Sequence, residues 1–179
     1  MGNLILVDVK DNSIGSQLKE KCHKGEGILH RAFSIFIFNE NRQLLIQKRS
    51  KHKKLWPLYW SNTCCSHPKP GENLKQAAER RLKEETSITC DLNYLYKFRY
   101  KAKYLNIGSE NEICGVFVGK SNSKVLADPM EISDHKWVNL NFLEKDMKIN
   151  SDKYTPWFKI EFQELFSNYI THIEELFFD

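Results

Sequence analysis

The chain has 179 residues, 41% apolar and 28% charged, which fits one domain with a hydrophobic core and excludes a disordered chain. Lys and Arg number 27 against 23 Asp and Glu; a net charge of +4 is too small and dispersed to predict a nucleic-acid partner, though it suits an anionic small molecule. Five cysteines with no export signal at Met1 to Lys10, and no apolar run near the ~20 residues that span a bilayer, predict a reduced cytoplasmic protein without disulfides or a membrane partner.

Leu4 to Val9 reads as a strand and Lys10 to Ser13 as the turn after it. His30 to Phe38 carries apolar side chains on both faces and predicts a buried central strand, turned at Asn39-Glu40-Asn41 into an antiparallel partner at Gln43 to Lys48. Arg49 to Lys54 is a basic loop, followed by the aromatic stretch Leu55 to Trp60. Pro68, Pro70 and Gly71 break the chain before a helix from about Asn73 to Thr86, with a core stripe of Leu74, Ala78 and Leu82 and an i,i+4 pair, Glu79 and Lys83. Further strands are expected near Tyr94 to Lys101, Glu112 to Val118 and Lys136 to Val138. Thr155 and Pro156 open a last helix with the stripe Phe158, Phe162, Leu165, Tyr169 and Ile173. Strands with two substantial helices, and no repeat or linker, predict a single α+β domain over residues 1–179.

Three clusters can carry chemistry. In Ser61 to Pro68, Cys65 and His67 are two apart and face the same side of an extended stretch, where a neighbouring imidazole or metal can tune a thiol; a packed cysteine is the commoner meaning of such a pair. Glu110 and Glu112 share a strand face, an arrangement that a cation or a shared proton relieves, although a solvated strand end reads the same way. His23 and His30 flank a loop containing Gly25 and Gly27 that can bring both rings to one ion. Together the three histidines and two carboxylates form a nitrogen and oxygen set suited to a divalent ion, and no C-x-x-C pair offers a structural zinc site instead. Lys19, Lys21, Arg49, Lys53 and Arg81 are candidate phosphate contacts, but neither a G-x-G-x-x-G nor a Walker sequence occurs.

Ser66 to Ile88, SHPKPGENLKQAAERRLKEETSI, resembles the Nudix box G-x5-E-x7-R-E-U-x-E-E-x-G-U. Glu72, Arg80, Leu82, Glu84, Glu85 and Ile88 match; Ser66, Arg81 and Ser87 stand where the box has Gly, Glu and Gly. A cation at Arg81 removes a carboxylate on which the superfamily's hydrolases rely for Mg²⁺, which argues against a pyrophosphohydrolase. HRAFS, LWPLYWSNTCCSHP, RRLKEE, FRYKA, ENE and YTPW, in that order between His30 and Trp157, are similar to the type I isopentenyl-diphosphate isomerases.

That resemblance implies a mixed β-sheet sandwiched between helices, and an isomerase acting on isopentenyl and dimethylallyl diphosphate. It implies Cys65, Glu112 and Tyr100 as the catalytic set, with acid and base unassigned, and His23, His30, His67, Glu110 and Glu112 as ligands of one ion (Mn²⁺, Zn²⁺ or Mg²⁺). Glu85 is implied as a ligand of the Mg²⁺ bound with the diphosphate, Lys19, Arg49, Lys53 and Arg81 as diphosphate contacts, and Trp157 as an aromatic wall over the reacting carbon. Lys21 competes with Lys19, and the oligomeric state is not indicated. A metal-bound interaction module with an idle thiol is the remaining alternative.

Overall fold

The computed structural model describes residues 2–178. β3 (His30–Phe38) is its organising strand, and all of it except Arg31 is buried. Phe33, Ile35 and Ile37 face one layer while Ala32, Phe36 and Phe38 face the other, as the two-residue period requires. One edge of β3 runs parallel to β8 (Gly108–Lys120), in register from His30↔Glu112 to Phe38↔Lys120. Three strands share the other edge: β1 (Asn3–Val7) at His30, β6 (Cys64–Ser66) at Phe33 to Ile35, and β4 (Leu44–Arg49) at Phe38. β2 (Ser13–Leu18) pairs with β1, β7 (Asn93–Tyr104) with β8, and β5 (Trp60–Ser61) and β9 (Ile132–Val138) with β4.

Helices cover both faces, as expected for an α+β sandwich. α2 (Leu74–Thr86) packs Ala77, Ala78 and Leu82 against Phe33, Ile35 and Ile37. α3 (Leu140–Ile149), α4 (Pro156–Asn168) and α5 (Ile170–Glu175) lie on the other side, while the four-residue α1 (Lys19–Cys22) leads into the first histidine loop. Trp157, Phe158, Phe162 and Leu165 are all buried there; at about 1.5–3 kcal/mol for each large side chain, this face holds α4 on the sheet.

Several expectations change. β2 and α3 were not anticipated, and β7, β8 and β9 extend beyond the stretches expected for them. β4 touches β3 only at the hairpin end and ladders along β9, because β6 occupies the middle of the β3 edge. The expected C-terminal helix is two: Tyr169 leaves helical geometry and stacks on Tyr96 at 4.7 Å. In α2 the i,i+4 ion pairs among the described residues are Lys75–Glu79, Arg80–Glu84 and Arg81–Glu85, not Glu79–Lys83.

α2 begins with Asn73 Oδ1 accepting from the amides of Lys75 and Gln76, a side-chain N-cap. It ends on Ser87 at φ 61°, the left-handed position where the box carries glycine. A side chain at that φ costs about 1 kcal/mol. Ser87→Gly is therefore expected to raise stability by about that amount in a denaturant titration; an unchanged or lower midpoint contradicts the strain.

Candidate active site

Register alone gathers the chemistry. The parallel β3–β8 ladder sets His30 opposite Glu112, and Glu110 lies two residues earlier on the same face. The β3–β6 pairing sets Cys65 opposite Ser34 and sends the two thiols to opposite faces: Cys64 is buried against Ala77 and Ala78, and Cys65 opens on the side of α4. His67 follows one residue after β6. His23 caps α1, and its carbonyl accepts from the Ser109 amide at 3.0 Å. Gly108 permits that contact, because a Cβ there would lie 2.2 Å from the His23 carbonyl oxygen. Gly108→Ala is expected to push His23 away from Glu110 and to lower divalent-metal affinity about tenfold or more, measured by metal titration; unchanged affinity refutes this positioning role.

Donor atoms of His23, His30, His67, Glu110 and Glu112 all lie within 4.8 Å of one another. His23 Nδ1 and His30 Nδ1 each lie 2.7 Å from a backbone carbonyl, of Lys19 and Ile28, so both donate there and turn Nε2 inward as a lone pair. His30 Nε2 approaches His67 Nε2 to 3.2 Å, and Glu110 Oε2 sits 2.8 Å from His23 Nε2 without making a hydrogen bond. Five electron-rich atoms converging this closely fit a divalent cation at their centre. Burial pushes His67 well below the ordinary imidazole range, against the pull of Glu112, so its nitrogen is free to coordinate. Burial also opposes ionisation of Glu112, but the His30 and His67 rings at 3.2 and 2.8 Å from its Oε1 prevail and hold it well below the carboxylate range.

Tyr100 donates its hydroxyl to Glu112 Oε2 at 2.5 Å, and burial together with the neighbouring carboxylate pushes the phenol well up, so it remains a donor. Burial raises the Cys65 thiol to about 12, with Arg49 pulling the other way. Cys65 Sγ is 4.0 Å from Arg49 Nη1 and 3.8 Å from Ser61 Oγ. Ser61 Oγ in turn accepts from Trp157 Nε1 at 3.1 Å, which aims the indole. Trp56 packs edge-on to Trp157 at 5.3 Å, and the Arg49 guanidinium lies 5.1 Å from the indole centroid.

A cavity of about 470 Å³ is lined by Cys65, His23, His67, Glu110, Glu112, Tyr100 and Trp157, and by Lys19, Arg49 and Lys53. Lys21 is not in its lining. His30, fully buried, is not in its lining either. Arg81 and Glu85 also lie outside the lining, joined at 2.6 Å, and Arg81 binds Glu84 and Glu131 as well. Glu131 holds both Lys53 and Arg81. Its segment carried no motif in the sequence, and neither Glu131 nor Ser61 nor Gly108 was singled out there. A carboxylate beside an otherwise apolar stripe was the one available signal for another buried acid, Glu161 of α4.

The box helix packed on a mixed sheet is the arrangement of a Nudix protein: a NUDIX-domain model matches residues 28–158. The fold is shared with DR0079 of Deinococcus radiodurans, with a TM-score of 0.68 at 21% identity, over 86% of this chain and 91% of that one. Isopentenyl-diphosphate Delta-isomerase 1 of Photorhabdus laumondii is 40% identical over 94% of this chain and 97% of its own length. Isopentenyl-diphosphate Delta-isomerase 1 of Aromatoleum aromaticum is 44% identical over 86% of each. The chain belongs to the isopentenyl-diphosphate Delta-isomerases of the Nudix family.

Proposed function

We propose that the chain interconverts isopentenyl and dimethylallyl diphosphate by adding a proton at one allylic carbon and removing one from another, through a tertiary carbocation. The observation that carries this reading is that Cys65 and the Tyr100–Glu112 pair open on one cavity roofed by Trp157. Moving a C3=C4 double bond to C2=C3 needs an acid and a base at different carbons, and Cys65 and Glu112 supply them. Tyr100 holds the Glu112 carboxyl through its hydrogen bond and keeps its orientation. The π face of Trp157 stabilises positive charge by about 2 kcal/mol or more where water is excluded.

His23, His30, His67, Glu110 and Glu112 would hold one divalent ion, Mn²⁺, Zn²⁺ or Mg²⁺, which would tune the acidity of Glu112 and fix its orientation. Glu85 is the residue for a Mg²⁺ carried in with the diphosphate. Lys19, Arg49 and Lys53 bind and orient that diphosphate, with Arg81 behind Lys53 through the Glu131 carboxylate they share, which brings the alkene to the proton-transfer pair. Among the described residues no helix is long and apolar enough to cross a membrane. We propose a cytoplasmic location, where a reducing medium would keep the Cys65 thiol available for proton transfer.

The rival, pyrophosphate hydrolysis, relies on a box carboxylate where this chain carries Arg81, a cation tied to Glu84, Glu85 and Glu131. Incubation of the metal-loaded protein with isopentenyl diphosphate and Mg²⁺ is expected to yield dimethylallyl diphosphate with no phosphate released. Phosphate release without a shifted double bond overturns the reading.

A further inference from the structure

Glu161 lies one helical turn beyond Trp157 on α4, fully buried. Its Oε2 has no hydrogen-bond partner, and its Oε1 is 3.7 Å from Cys114 Sγ. Burial raises its carboxyl to about 8, with Glu112 adding to the rise while Ser34 and Cys114 oppose it; no cation is among the groups acting on it. An uncompensated ion at such a site is costly, so at neutral pH Glu161 carries a proton.

Its position is informative. Cys114 follows Glu112 by two residues on the same face of β8, and Cys114 Sγ lies 3.5 Å from Ser34 Oγ. Ser34 is the register partner of Cys65 across β3 and β6. Glu161 therefore meets, through Cys114, the face of the sheet that carries Ser34, Cys65 and Glu112.

The proposed reaction leaves a proton imbalance. The acid gives a proton to one carbon and the base takes one from another, so the substrate's composition is unchanged. The protein, however, ends each turnover with its acid deprotonated and its base protonated. A second turnover in the same direction requires one proton to pass from base to acid.

We propose that Glu161 is the relay for that proton, accepting it at one carboxyl oxygen and releasing its own toward the other member of the pair. Only O–H and S–H bonds exchange, the carboxyl returns to its starting state, and no co-reactant is consumed. This inference rests on the isomerase reading above.

The test separates one turnover from many, using metal-loaded protein and isopentenyl diphosphate. Glu161→Gln, isosteric with the protonated acid, is expected to keep the single-turnover rate constant, with enzyme in excess, within about twofold of the unsubstituted protein. Its steady-state kcat is expected to fall about tenfold, because resetting then waits for solvent. Ser34→Ala gives the same split if the Gln variant fails to fold, and millimolar formate restores kcat in Glu161→Ala. A steady-state kcat within twofold of the unsubstituted protein overturns the relay. So do single-turnover and steady-state rates that fall together, which mark a structural role. An unsubstituted protein that converts no isopentenyl diphosphate in either regime refutes the isomerase reading instead.

Discussion

Cys65→Ala is expected to lower isomerisation roughly 10³- to 10⁴-fold, near the top of the range for losing a positioned proton-transfer group. Cys64→Ala is expected to retain most activity. The two thiols are chain neighbours of the same type, and strand alternation alone divides their roles. Cys65 lines the cavity with Arg49 and Ser61 around its sulfur, whereas Cys64 is fully enclosed against α2. Removing the Cys64 sulfur leaves a small void and costs stability, about 1 kcal/mol, visible as a lower melting temperature. Removing the Cys65 sulfur takes away a proton carrier and changes packing little. Initial rates of dimethylallyl diphosphate formation, with melting curves for both variants, test the division. A dead Cys64→Ala beside an active Cys65→Ala would place the strand register one residue out.

The same register explains what the sequence disclosed. β3 was legible because its apolar side chains on both faces can be buried only in a central strand. The box helix was legible from its apolar spacing and the breakers before it. Once β3, β6 and β8 exist, period-two geometry converts the spacings of Cys65 and His67, and of Glu110 and Glu112, into shared faces. What the sequence could not disclose was which strands adjoin. The β3–β8 ladder joins His30 to Glu112 across 82 residues, and no local pattern encodes that pairing. Glu131 was missed for the same reason: it reaches Arg81 from 50 residues away, out of a segment with no motif. The break at Tyr169 was equally hidden, since the apolar stripe continues to Ile173 and the ring that Tyr169 stacks on lies on β7.

Lysine and arginine show a subtler gap between residue type and role. Lys19 and Lys53 line the cavity. Arg49 also lines it, but donates from Nε to the Trp56 carbonyl and from Nη2 to that of Leu55 while lying over Trp157, so it holds the aromatic loop as well as offering charge. Arg81 is bound by three carboxylates, which makes it the tie between the box helix and Glu131. Charge type was readable from the sequence; the number of partners competing for each charge was not.

Removal of the divalent ion is expected to lower activity below about 1% and to destabilise the fold, with both effects reversed by adding back Mn²⁺, Zn²⁺ or Mg²⁺. Without a cation, the inward lone pairs of the histidines face the Glu110 and Glu112 oxygens at hydrogen-bonding distances, and repulsion opposes that closeness. An ion present at 100 times its dissociation constant contributes about 2.7 kcal/mol to stability, so chelation is expected to lower the melting temperature by several degrees. His67→Ala removes a proposed ligand whose burial keeps it neutral, and is expected to lose the ion at unit stoichiometry in metal analysis. Acid is expected to do the same reversibly. Burial opposes a charge on His23, but Glu110 at 2.8 Å outweighs it and holds the imidazole above its ordinary range. As pH falls, His23 therefore takes up a proton before His67 does, and a protonated ring has no lone pair for the ion. Metal content should drop first in weak acid and recover on neutralisation. Full occupancy in His67→Ala, or activity undiminished by a chelator, would remove the ion from the proposed chemistry and leave the convergence of five donor atoms without a physical cause.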